Sequence, residues 1–312
     1  MRTGIALALL AFCSATLAQD DAVVVSALRN PVKKSYSRML EGAQLFEARR
    51  HLAPAASLRF KLLPRKPETP MDGIRLQVAD DSRALFLKVA PDQTFVLEPN
   101  AAALKQDAQV MPDRRAGTMT WRAEVRTPGL PPNTRRLGDL RLECEVGMQS
   151  GLISSYPRGF FGWLAERLRE SPEYCHRAAP RYLFFADQPI WSVTLVDGER
   201  REVLPVERLY GGAIQDPAWK KDQHCDCEAL FDHAYFVPLG DPSWPDDTRI
   251  EIESMATLSA GTITKADARA ALGEPTVLDF ASGYEVWVYR ERTAELVMLF
   301  GPSGTLARTR VR

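Results

Sequence analysis

Net charge is the first thing this chain lacks: 40 Lys plus Arg balance 40 Asp plus Glu over 312 residues. No block of five like charges occurs either. Nucleic acids and other polyanions are gripped through a basic excess, so a nucleic-acid partner is excluded. Long apolar runs are also missing. Past the leader no segment approaches the roughly 18 uninterrupted apolar residues that read as a membrane-spanning helix. Catalytic signatures are absent as well. There is no His-Glu-x-x-His, no phosphate-cradling glycine loop and no dinucleotide fingerprint, so metalloprotease, nucleotide and Rossmann readings have no support. Gly147-Met148-Gln149-Ser150-Gly151 places its serine one position off the Gly-x-Ser-x-Gly register of a nucleophile elbow. What is present suffices for a core: 45% of residues are apolar and 9% aromatic. At roughly 150 residues per domain, two or three domains are expected.

The start of the chain supplies an address. Arg2 precedes the apolar run Ile5 to Phe12, and Thr16-Leu17-Ala18 is a small-residue cleavage pattern. Residues 1–18 therefore read as a secretory signal peptide, with Gln19 as the new terminus. The rival is lipid attachment at Cys13, but Phe12 occupies the place where a lipoprotein has a small residue. The expected location is periplasmic or outer-membrane-associated, with no transmembrane segment once the leader is removed. Four cysteines would then sit where thiols are oxidised: Cys144, Cys175, Cys225 and Cys227 are the disulfide candidates, with three possible pairings. Cys225 and Cys227 can close only a very tight ring, so a bridge from one of them to Cys175 is geometrically easier. Cys144 alternates with Leu140, Leu142 and Val146, which places it on a strand face as a small apolar group.

Patterning predicts an α+β, β-rich chain with five parts: the leader 1–18, an N-terminal strand and helix over 19–56, a β-sandwich-like unit over 57–147, an α+β unit with hairpins over 148–254, and a terminal unit over 255–312. Asn30-Pro31 is a good helix start, and Val32, Tyr36, Met39, Leu40, Ala43 and Phe46 follow at helical spacing. His51 falls near that helix end as a surface residue. From Leu58 to Val146 the period changes to two, with turns at 67–73, 80–82, 91–92 and 99–100. Arg135 and Arg136 near Asp139 could bind an anion, but a solvated loop with local ion pairs is the preferred account. Phe160, Phe161, Trp163, Leu164 and Leu168 form the apolar side of a helix, and Asp197-Gly198 signals a hairpin.

One cluster carries metal-ligand chemistry: His224, Cys225 and Cys227 with His233 beyond, and Cys175-His176 elsewhere. Thiolate and imidazole hold zinc or copper, but paired zinc cysteines are typically separated by roughly two to four residues, and here by one. No cofactor is expected on this count. Asp241, Asp246 and Asp247 could form an acid and base of the glycosidase kind, though Pro242, Trp244 and Pro245 among them suggest a turn leading into a strand.

The last segment carries a nameable pattern. Leu258 to Thr264, Ala268, Leu272-Gly273-Glu274-Pro275, Trp287, Tyr289, Phe300 and Gly304 together resemble the BamE/SmpA (OmlA) domain of bacterial outer-membrane lipoproteins. On the residues themselves, Thr264 with Asp267 makes a capping box, and Ala268, Ala271 and Leu272 form the buried stripe of a helix stopped by Gly273 and Pro275. Three antiparallel strands follow at 284–289, 295–300 and 305–311, with Trp287 and Tyr289 facing the helix. The resemblance implies a docking or scaffold element with no catalytic residues. The resulting expectation is a non-enzymatic scaffold or interaction protein of the cell envelope whose partners are envelope proteins or polymers. The alternatives are an envelope hydrolase acting on cell-wall or polysaccharide material, and a metal-binding or redox protein.

Overall fold

The computed structural model describes residues 32–153, 171–178, 180–214, 228–258, 261–291 and 294–312. The leader, Cys13, the Asn30-Pro31 helix start, the aromatic helix at 160–168, and His224, Cys225 and Cys227 lie outside the described residues. The chain is mixed α+β and strand-rich. All strand pairs among the described residues are antiparallel, and no sheet closes on itself.

The first part runs β1 (Lys34–Ser35), α1 (Tyr36–Ala48), β2 (Ser57–Pro64), β3 (Leu76–Ala79), β4 (Ala84–Leu87), β5 (Thr94–Phe95), α2 (Ala101–Lys105), β6 (Gln109–Pro112), β7 (Met119–Arg126), β8 (Thr134–Arg136) and α3 (Leu137–Gln149). Strands β1, β6, β3 and β4 make one sheet in that order; β5, β2 and β7 make another. Leu76, Val78 and Val110 from the first and Phe60, Leu62, Trp121 and Val125 from the second share one core with Tyr36, Met39 and Phe46 of α1. Alternation put them there, since successive strand side chains point to opposite faces. The turn before β5 is fixed by Asp92, whose carboxylate accepts from the Thr94 backbone N–H at 3.1 Å and hydroxyl at 2.7 Å.

Helix α1 begins later than its apolar spacing predicts. Lys34 and Ser35 pair with Val110 and Gln109 as a strand, Lys34 Nζ donates to Gly151 O and Leu152 O at 3.0 Å, and Ser35 caps the helix instead. His51 sits exposed in a short 3-10 turn after the helix, as expected.

The largest departure is α3. Leu137 to Val146 was expected as a strand with Cys144 on one face, and it is a helix. At about 100° per residue, Leu140 and Cys144 fall on one side and Leu142 and Val146 on the opposite side. The first pair enters the second core and the second pair the N-terminal core. A helix buried on two opposite sides thus imitates a period of two. Its close packing also needs glycine: a Cβ on Gly147 would come within 2.2 Å of the Tyr182 hydroxyl.

The middle part adds β9 (Phe184–Phe185), β10 (Ile190–Asp197), β11 (Arg200–Val203), β12 (Ala234–Tyr235) and β13 (Arg249–Ser254). Strands β11, β10, β13 and β8 form a sheet in that order. The expected hairpin joins β10 to β11, with Asp197 opposite Arg200 and Gly198 at φ 58°. A disulfide joins Cys144 on α3 to Cys175 in the 3-10 turn Pro172–His176. Cys175 therefore pairs with Cys144, not with Cys225 or Cys227. With Cys144 on a helix facing the second core, the distance across to Cys175 becomes bridgeable, at 6.0 Å between Cα atoms.

The last part is α4 (Lys265–Leu272) followed by the sheet β14 (Thr276–Asp279), β15 (Glu285–Arg290), β16 (Glu295–Phe300) and β17 (Leu306–Val311), in that spatial order. The Thr264–Asp267 capping box is formed. One face of the sheet, through Trp287, Met298 and Phe300, packs on Ala268 of α4. The other face, through Leu278, Val286, Val288, Val297 and Leu299, enters the same core as α3 and β10. The predicted helix stripe is narrower than its spacing suggests: Ala268 is buried, but Ala271 and Leu272 are exposed, because the eight-residue helix lays only its middle turn on the sheet.

Candidate functional site

A polar cleft lies where the β2–β7 sheet meets the middle part. On β7, Trp121, Ala123 and Val125 face the N-terminal core, so Arg122, Glu124 and Arg126 project from the opposite face. Lys61 on β2 stands directly across from Arg122. Like charges in that register repel. They are tolerated here because carboxylates arrive from three elements. Glu124 comes from β7 itself, Glu143 from α3, and Asp187 from the turn after β9.

The ion pairs are specific. Lys61 Nζ lies 3.1 Å from Glu124 and 3.0 Å from Asp187, and the same two carboxylates are reached by Arg126 at 3.2 and 3.5 Å. Arg135 donates to Glu143 at 2.7 Å and to Val125 O at 2.8 Å, while Glu143 also accepts from Val125 N at 3.0 Å. Asp139 accepts from Thr127 N at 2.9 Å and Oγ1 at 2.8 Å. These side chains therefore satisfy the free edge of β7, which would otherwise present unpaired backbone groups. Arg135 is buried, not solvated as its neighbourhood in the sequence suggested, and it is this edge that holds it.

Charge is locked by the surroundings. Burial pulls the Lys61 ammonium down, but Glu124 and Asp187 outweigh that and raise it above the ordinary lysine range. For Asp187, burial pushes up and Lys61 with Arg126 more than compensate, so the carboxyl stays below the usual aspartate range. Arg135 is raised as well despite burial, chiefly by Glu143. Beside it burial pushes the Tyr235 phenol up to about 12.

Arg122 differs from the other cations. It is 6% exposed, its guanidinium carbon lies 5.0 Å from the Phe185 ring centroid, and among the described residues its side chain makes one hydrogen bond, to Trp121 O at 2.7 Å. Its Nε, the Nε of Arg135 and the Tyr235 hydroxyl are buried with no hydrogen-bond partner among the described residues. Arg122 and Arg135 line a cavity of about 180 Å³ with Lys61, Leu63, Phe185 and His233. An adjoining space of about 10 Å³ is lined by Arg135 and Tyr235. It is about the size of one water molecule.

Of the residues singled out from the sequence, Arg135 and His233 reach this cleft, and of the proposed metal ligands only His233 does so among the described residues. The His233 ring is held in place by its neighbours. Its Nδ1 donates to Ala186 O at 2.9 Å, and its Nε2 lies 3.7 Å from Asp232. His176 stands 3.3 Å from Glu145, away from the cleft, and the Cys175 sulfur is bonded to Cys144. Among the described residues no three His, Cys, Asp or Glu side chains gather as a metal site. The three aspartates lie in the expected turn: Asp241 accepts from Ser243 N at 2.9 Å, Asp246 pairs with Arg141 at 2.5 Å, and Asp247 pairs with Arg136. The cleft residues Lys61, Arg122, Glu124, Glu143 and Asp187 were not anticipated. The signal available was Thr120, Arg122, Glu124 and Arg126 on one strand face, a mixed-charge pattern that solvated strands share. No protein family, no curated protein and no solved structure matches the chain.

Proposed function

We propose that the chain is a non-enzymatic scaffold or interaction protein of the bacterial cell envelope, periplasmic or outer-membrane-associated, whose partners are envelope proteins or polymers. The observation that carries this reading is the buried Cys144–Cys175 disulfide, because such bonds persist where thiols are oxidised. Export through the 1–18 leader agrees with it. The terminal helix-on-sheet arrangement is compatible with the BamE/SmpA resemblance, and the two N-terminal sheets around one core are read as sandwich-like. The locked charges of the cleft favour binding over acid–base chemistry. A hydrolase of the carboxylate kind needs one carboxyl held protonated near neutrality, whereas Asp187 is held ionised. The disulfide is also too deeply enclosed to serve as a redox centre, with Cys144 and Cys175 at 0% and 3% exposure.

Fractionation with intact-mass measurement tests the address. The expected result is a periplasmic or envelope-bound protein lacking residues 1–18, with two cysteines protected from alkylation until reduction. Recovery from the cytosol with Met1 attached and Cys144 free would refute it. For docking, deletion of the terminal unit is uninformative because its sheet walls the second core. Charge substitutions at the exposed Ile263 and Leu272 beside α4 leave that wall intact. They should reduce crosslinking to envelope partners, and unchanged crosslinking would count against docking through that face.

A further inference from the structure

The geometry points to the cleft between β7 and the β9 turn as a binding site for a small monocarboxylate, with Arg122 as the residue that receives the carboxylate. Each acidic group among the described residues that line the cavity already has its cation. Glu124 and Asp187 are shared between Lys61 and Arg126, and Glu143 is bonded to Arg135. Arg122 has no carboxylate partner among the described residues, yet it is 6% exposed and lines the cavity. A buried guanidinium without a counter-charge is costly, and a carboxylate matches its planar fork of donors. The partnerless Nε atoms of Arg122 and Arg135 add donor capacity and no acceptor.

Charge and shape narrow the class. Among the described residues, Lys61, Arg122, Arg126 and Arg135 face Glu124, Glu143 and Asp187, a surplus of one positive charge, and Asp187 and Glu124 on the wall would repel a dianion, which disfavours a phosphate ester. Leu63, Phe185 and Leu230 make part of the lining apolar. The ligand is therefore a carboxylate with a short apolar or aromatic body. Asp187, whose side chain is 58% exposed, marks the mouth, and Arg122 the floor. This inference is independent of where the protein resides, so its failure would leave the fractionation result untouched, and the reverse holds as well.

The test is a titration of the ¹⁵N-labelled full chain with sodium benzoate, with benzamide and inorganic phosphate as comparators, read at the Arg122 Nε–H and the Ala123 and Phe185 amides. Benzoate should give saturable shifts at those positions with an affinity of roughly 1 mM. Benzamide and phosphate should bind at least about tenfold more weakly. Arg122→Gln should lose at least tenfold in benzoate affinity, and Arg122→Lys should fall between, since it keeps the charge and loses the fork. If Arg122→Gln does not fold, the benzoate-to-benzamide ratio on the unaltered protein carries the test. No saturable shift, an equal response to benzamide, tighter binding of phosphate, or undiminished binding by a folded Arg122→Gln would each overturn the assignment.

Discussion

Replacing both Cys144 and Cys175 by alanine removes the one covalent link between α3 and the Pro172–His176 turn. The two residues are 31 apart in sequence. Cross-linking a loop of that length lowers the entropy of the unfolded chain by about 12 cal/mol/K, equivalent to about 3.7 kcal/mol at 25 °C. Whole domains are stable by only about 5–15 kcal/mol, so the loss is a large fraction. With a denaturant slope of about 3 kcal/mol/M, the urea midpoint should fall by about 1 M. The drop should be felt in both cores, because Leu140 and Cys144 pack into one and Leu142 and Val146 into the other. Hydrogen exchange in increasing urea reports this directly: peptides from β2 and β7 and peptides from β10 and β13 should lose protection together. A shift below about 0.3 M, or protection lost from only one of the two sheets, would refute the reasoning that α3 couples them through this bond.

Three further outcomes follow from the cleft. Glu143→Ala strands Arg135 as an uncompensated buried charge and should cost about 3–5 kcal/mol in urea unfolding, far more than removal of an exposed acid such as Glu47. Asp187 is held below its unfolded range, so its contribution is present above an unfolded pKa of about 3.9 and is lost as pH falls through its lower folded value. The stability gap between the unaltered protein and Asp187→Asn should therefore be constant near neutrality and close on acidification. A gap that stays open at low pH would contradict the pairing with Lys61 and Arg126. Tyr235→Phe removes a buried hydroxyl that has no partner among the described residues, so stability should hold or rise by up to about 1 kcal/mol. Phenol absorbance should lose one component that titrates near pH 12.

Strands whose two faces meet different surroundings were legible from sequence. In β15 and β16, Val286, Val288, Val297 and Leu299 alternate with Trp287 and Met298, and the two sets enter different cores. The capping box and the β10–β11 turn were legible for a local reason, since their chemistry involves residues adjacent in the chain. Helix α3 was not, because a segment apolar on two opposite sides has no single stripe to detect. The expected bridge from Cys175 to Cys225 or Cys227 failed with it, since Cys144 on a helix is the residue that reaches Cys175. The cleft was hidden for a different reason. Arg122 and Glu124 sit on a strand face that looks solvated, and only the arrival of Phe185, Asp187 and Glu143 from distant segments buries it.

The sheet of the last part also sets an order of events. Leu278, Phe280, Val286, Val288, Val297 and Leu299 belong to the same apolar cluster as Trp191, Val193 and Tyr210. A polypeptide emerges N-terminus first, from a ribosome or through a translocation channel, so the middle segment is delivered long before the strands that cover it. Until about residue 299 has appeared, those earlier side chains remain wet and adhesive. Holding factors that shield nascent chains should therefore act longest on this stretch, and a premature stop just after Ser254 would release a sticky fragment instead of a shortened, working protein.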